Sequence, residues 1–153
     1  MNRVAIFEGF DENQMALLKP LFESYSRQAG EVIFQQGAPA EFLYVVIRGL
    51  VDISFKPHDG SPITIAHVRK GGLFGWSAVV GSEKYTSSAI AIEDVKAYRV
   101  SGAQLRKFCL QYPETGKDIL ERLADGVSSR WKDAHKQIQS ILVRGITKKS
   151  KLI

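Results

Sequence analysis

Cysteine is almost missing from this chain of 153 residues: Cys109 stands alone. No disulfide can form within the chain, which fits a reducing cytoplasm, and the thiol reads as inert packing. Histidine is scarce too. His58, His67 and His135 lie far apart, and none stands at metal-ligand spacing from another His, Cys or carboxylate. His58 reads as a turn residue and His67 as an outward strand residue. No lysine closes a phosphate-binding glycine loop, and no G-x-S-x-G occurs. An enzyme has no support, so no catalytic residue, metal or cofactor is expected. Long hydrophobic runs are also lacking. The longest, Phe42-Leu43-Tyr44-Val45-Val46-Ile47, is strand-sized, against the roughly 20 residues that span a bilayer. Glu8, Asp11 and Glu12 follow close behind Arg3, which is no signal peptide. The expectation is a cytoplasmic protein without membrane contact.

What is present suits one domain over residues 1–153. Hydrophobic residues make up 44% and charged residues 24%, enough for a core and too balanced for disorder. The net charge of +5 permits contact with acidic surfaces. Arg144, Lys148, Lys149 and Lys151 crowd a basic tail, residues 144–153, which reads as a solvated end. Few residues follow Leu142, so no helix-turn-helix is expected there, and sequence-specific nucleic-acid binding is not expected.

Along the chain, Asp11 caps a helix with an apolar face of Met15, Leu17 and Leu18. Pro20 bends or ends it, and Leu21-Phe22 would continue as a second turn. From Gly30 the pattern is β. Val32-Ile33-Phe34 is one strand, and the run from Leu43 to Ile47 is another, buried on both faces. Val51, Ile53 and Phe55 alternate with Asp52 and Ser54. His58-Asp59-Gly60-Ser61 makes a hairpin turn, and Ile63 and Ile65 resume the alternation. Strands at 86–92 and 95–100 follow. Turn signals every eight to twelve residues argue a small barrel or sandwich. After Ser101, a plausible cap, Leu105, Phe108 and Cys109 stand at helical spacing. Past Tyr112-Pro113 comes a long helix, whose seam Leu120, Leu123, Val127, Trp131, Ala134, Ile138 and Ile141 has coiled-coil spacing. It would pack on its own barrel or on a twin, and its length favours a homodimer through Leu123, Val127, Trp131, Ala134 and Ile138. Gly126 inside it costs roughly 1 kcal/mol relative to Ala, a sign of close approach or a local bend.

The stretch Gly71-Gly72-Leu73-Phe74-Gly75-Trp76-Ser77-Ala78-Val79-Val80, with Tyr85-Thr86-Ser87-Ser88-Ala89, organises the rest. Glycines allow positive φ and close backbone approach. N–H groups at the start of a short helix attract anions. The stretch is either a structural turn or a cradle for a small anionic ligand.

Three segments carry a resemblance: Ala29-Gly30-Glu31-Val32-Ile33-Phe34-Gln35-Gln36-Gly37, Leu43-Tyr44-Val45-Val46-Ile47-Arg48-Gly49-Leu50-Val51 and Gly72-Leu73-Phe74-Gly75. From about Phe7 to Leu142 the sequence resembles the cyclic-nucleotide-binding domain family of catabolite activator protein-like type. The resemblance implies an eight-stranded β-roll of double-stranded β-helix or jelly-roll type over residues 27–104. It also implies an N-terminal helix and a long C-terminal dimerisation helix, here 113–143. It makes the chain a ligand-sensing regulatory domain, the alternative being a ligand-free dimerisation or protein-interaction scaffold; a separate effector protein fits either. The phosphate-binding cassette would use Phe74, Gly75, Trp76, Ser77, Ala78, Thr86 and Ser87. The family's ribose-holding glutamate is replaced by Trp76, and its phosphate-holding arginine by Thr86. Losing one charge-assisted phosphate contact is worth roughly 1.5–3 kcal/mol. The ligand is thus a weakly held cyclic nucleotide or another small anionic molecule. Lys84 is a candidate replacement cation. Trp76 either fills the pocket or offers a face for stacking.

Overall fold

The computed structural model describes residues 5–127. The apolar run at 42–47 lies where it meets two hydrophobic cores. Strand side chains alternate between faces. Leu43 and Val45 enter a core shared with Trp76, Val79, Leu105 and Leu120. Tyr44 and Val46 enter a second, with Phe34, Val51, Phe74 and Tyr85. The strand is buried on both faces, as its lack of polar alternation predicts.

Eight strands form: β1 (Phe22–Arg27), β2 (Val32–Phe34), β3 (Phe42–Arg48), β4 (Val51–Phe55), β5 (Ile63–Val68), β6 (Leu73–Phe74), β7 (Ser88–Ala91) and β8 (Val95–Ser101). They make two four-stranded sheets, ordered β1-β8-β3-β6 and β2-β7-β4-β5. Every pairing within them is antiparallel. This is the eight-stranded β-roll. The aromatic core lies between its sheets. The other core lies between the first sheet and helices α1 (Glu12–Leu18), α2 (Ser77–Val80), α3 (Gly102–Gln111) and α4 (Pro113–Asp125). No helix among the described residues is long and apolar enough to cross a membrane.

Local chemistry sets the helix boundaries. The Gln14 N–H donates to Asp11 Oδ1 at 2.8 Å, and the Asp11 N–H donates to Gln14 Oε1 at 3.1 Å. This reciprocal box satisfies two of the N–H groups that a helix start leaves open. Ser101 Oγ accepts from the Gln104 N–H and caps α3 as expected.

Three expectations need correction. The roll starts at Phe22, not 27. Residues 22–27 pair along their whole length with β8, and only the 3-10 turn Lys19–Leu21 continues α1. In β4 the alternation breaks at a bulge between Ile53 and Ser54. Ser54 turns inward and Phe55 turns out, 40% exposed. Helix α4 stops at Asp125 rather than running unbroken to 143. The Gly126 carbonyl instead accepts from the Leu73 N–H at 3.1 Å, and Val127 pairs with Leu73 in a parallel bridge. A Cβ on Gly126 would run into Leu73 Cδ1, so this glycine marks a close approach.

Leu123 does not serve a dimer seam. It is fully buried in its own chain, in the core that joins α4 to α3 and β3. Val127 is half-buried and packs against that same core. Trp131, Ala134, Ile138 and the tail 144–153 lie outside the described residues.

Candidate functional site

The glycine-framed stretch becomes β6, a tight turn and the single helical turn α2. Gly75 has φ +90, and a Cβ there would come within 2.7 Å of the Phe42 carbonyl oxygen. Only glycine combines that φ with that approach. Every residue of α2 is buried. Arg106 Nη1 of α3 donates to the carbonyls of Ala78 and Val79, which fastens α2 to the helical layer. The Ala78 N–H donates back to the Gly75 carbonyl at 3.1 Å. The expected helix-start anion cradle therefore lacks this donor.

The second half of the stretch pairs with the loop after β2. The Gly37 N–H donates to the Tyr85 carbonyl, the Tyr85 N–H to Ala38, and the Ala40 N–H to Glu83, each at 2.9 Å. These bonds send the Tyr85 ring into the roll. It stacks on Phe34 with centroids 3.6 Å apart and planes 7° from parallel. Its hydroxyl donates to the Phe42 carbonyl at 2.6 Å and accepts from the Phe42 N–H at 3.0 Å. Burial pushes the phenol pKa up, and the bond to the Phe42 backbone opposes that only in part. Beside this pair, Tyr44 and Phe74 stack with centroids 4.9 Å apart and planes at 6°.

One pocket gathers most of the expected cassette. Phe74, Gly75, Trp76, Ser77, Thr86 and Ser87 line it. The rest of the wall is Phe34, Ile53, Ile65, Ala66, Val68, Leu73 and Tyr85. Not one lining side chain is charged. The space left is about 20 Å³, room for roughly one water molecule. Ala78, expected in the site, is buried and outside the lining. Lys84 is exposed and also outside it, so it supplies no cation there. Trp76 is 2% exposed and packs in the helical core while bordering the pocket. The motif contains Tyr85, and spacing alone assigns that ring no role. Its signal was an aromatic among small hydroxyl residues, readable as a pocket group only once its partner Phe34 is known. No cluster of His, Cys, Asp and Glu among the described residues could hold a metal ion.

A model of the family described as "Cyclic nucleotide-binding domain" matches residues 26–112. The chain belongs to that family. A CRP-like cAMP-activated global transcriptional regulator of Mycobacterium tuberculosis is 28% identical over 122 residues, 80% of this chain and 54% of the relative. A cAMP-dependent protein kinase regulatory subunit of Dictyostelium discoideum is 29% identical over 101 residues, 66% of this chain and 31% of the relative. The chain thus spans about half or less of these curated relatives. Among solved structures, a cyclic nucleotide-binding domain from Methylobacillus flagellatus superposes with a TM-score of 0.72 at 19% identity, covering 99% of this chain and 82% of that one.

Proposed function

We propose that this chain is a small-ligand-sensing regulatory domain whose binding of cyclic nucleotides is weak or altered. The observation that carries the reading is the uncharged lining. A cyclic phosphate brings a negative charge, and burying it with no cation or full hydrogen-bond shell is strongly unfavourable. Thr86 stands where the resemblance places a phosphate-holding arginine, and it supplies one hydroxyl. Trp76 stands where it places a ribose-holding carboxylate, and it is packed into the core. The chain acts by binding rather than catalysis, as the matched relatives are regulators by description.

A route from pocket to C-terminal segment supports the sensing role. Leu73 lines the pocket and also holds the Gly126 carbonyl and Val127. A ligand that displaced β6 would move the end of α4, and it would favour whichever arrangement it binds better. The small free volume of that pocket favours a second reading, a ligand-free interaction scaffold with homodimerisation through the segment beyond 127.

Calorimetric titration of the wild-type protein with cAMP and cGMP tests the first reading. The expected dissociation constant is weaker than about 1 μM, and sub-micromolar cAMP binding would overturn it. Thr86 is exposed, so Thr86→Arg is tolerated there and raises cAMP affinity about 10- to 150-fold. If no nucleotide raises the melting temperature while light scattering shows a dimer, the scaffold reading replaces it.

A further inference from the structure

We propose that Tyr85 is the built-in occupant of the roll: its ring fills the space a flat ligand needs, and it sets what the pocket admits. The inference rests on the reading of the roll as the ligand site and names the residue that closes it.

Three kinds of contact hold the ring. Phe34 stacks on it in near-parallel contact. The Phe42 peptide groups use the hydroxyl both as donor and as acceptor. The backbone on either side of Tyr85 is paired to the 37–40 loop. Gly75, at the other end of the cassette, lies where a Cβ would strike the same Phe42 carbonyl. The two halves of the cassette therefore converge on one residue of β3, and Tyr85 is the bolt between them. With the ring in place the pocket it lines with Phe34 holds about 20 Å³ of free space. Apolar cavities of about 150 Å³ take up a benzene ring, so a planar molecule gains little hold while Tyr85 keeps its place. Once the ring is gone, Phe34 offers an open aromatic face, and Ser77 and Ser87 offer hydroxyls. No charge waits there. The class of molecule this space fits is a neutral, flat heteroaromatic ring with hydrogen-bonding edges.

The experiment titrates the full chain with adenosine and with cAMP, which share a base and differ in charge. Wild type is compared with Tyr85→Ala and Tyr85→Phe. Tyr85→Ala is expected to bind adenosine at least tenfold more tightly than wild type, with amide shifts at Gly75, Ser77 and Thr86, and to gain less for cAMP. Tyr85→Phe keeps the ring and is expected to gain nothing. A tyrosine that only packs would, on truncation, lower stability without creating this binding. A folded Tyr85→Ala that binds adenosine no better than wild type overturns the proposal. So does an equal gain in Tyr85→Phe, which would make the hydroxyl and not the ring the barrier. If Tyr85→Ala does not fold, Tyr85→Leu, which removes the flat ring but keeps bulk, must show a gain of at least threefold or the proposal fails. Tight cAMP binding by wild type would defeat the proposed function separately, whatever these variants do.

Discussion

Replacing Trp76 with glutamate would put back the acidic residue that the resemblance places after Phe74-Gly75. The structure makes this an attack on the core instead. Trp76 is 2% exposed and packs with Val79, Val80 and the α3–α4 layer. Truncating a large aromatic in such a place costs about 3–5 kcal/mol. A polar group left there without a partner adds roughly 1–3 kcal/mol. Domains of this kind have roughly 5–15 kcal/mol in total. The expected fall in Tm is roughly 8–30 °C, read by circular dichroism or calorimetry. Acidity gives a second readout. An introduced carboxyl held in apolar surroundings has a folded pKa above its unfolded value near about 4.3. Its charge-related penalty is absent below that pH and grows as pH rises toward the folded pKa. The Tm gap between variant and wild type should therefore widen from about pH 4.5 to about pH 7. A variant melting within about 3 °C of wild type at neutral pH, less than about 2 kcal/mol, would refute the reasoning. It would show that position 76 can turn to the rim and hold a ligand hydroxyl.

Other outcomes follow from the same contacts. Tyr85→Phe leaves the Phe42 N–H and carbonyl without their hydroxyl partner, and denaturant titration should show a loss of about 1–3 kcal/mol. Gly126→Ala drives a methyl into Leu73, so hydrogen exchange at the Leu73 amide should speed up relative to the β3 amides; unchanged exchange would show that the end of α4 is not docked. The Cys109 thiol is pushed up by burial to about 12 from 9.0. It should resist thiol reagents at about pH 8 until the protein unfolds. Its contribution to stability is full below its unfolded pKa and lost as pH rises toward about 12.

Much of the fold was legible because the strongest signals are local. The run at 42–47, the turn at 58–61, the Asp11 and Ser101 caps and the glycine frame at 71–75 each state their structure within a few residues. Strand β1 was not legible. Its sequence Phe-Glu-Ser-Tyr-Ser-Arg places buried aromatics three apart, which mimics helical spacing, and its partner β8 lies far along the chain. The bulge in β4 escaped because it arises from pairing with β5 rather than from the β4 residues. The seam at 120–141 suggested one continuous helix since periodicity counts apolar positions without saying which surface covers them. Leu123 and Leu120 are covered from within. Six of the seven cassette positions line one pocket and Ala78 does not, but the Tyr85 role depends on Phe34 and Phe42, which sequence spacing cannot bring together.

The placement of β3 between two cores also bears on where this chain can change length. Side chains of a strand alternate, so gaining or losing one residue between 43 and 46 would send every later side chain to the opposite compartment. The ring of Tyr44 would arrive among the helices, and Val45 would face Phe34 and Phe74. No substitution elsewhere could repair both compartments at once. The turn between β4 and β5, exposed around Asp59 and Gly60, has no such double duty. Insertions and deletions should accumulate there and be absent from 43–46, so a library of single-codon insertions would divide at these two places before any other.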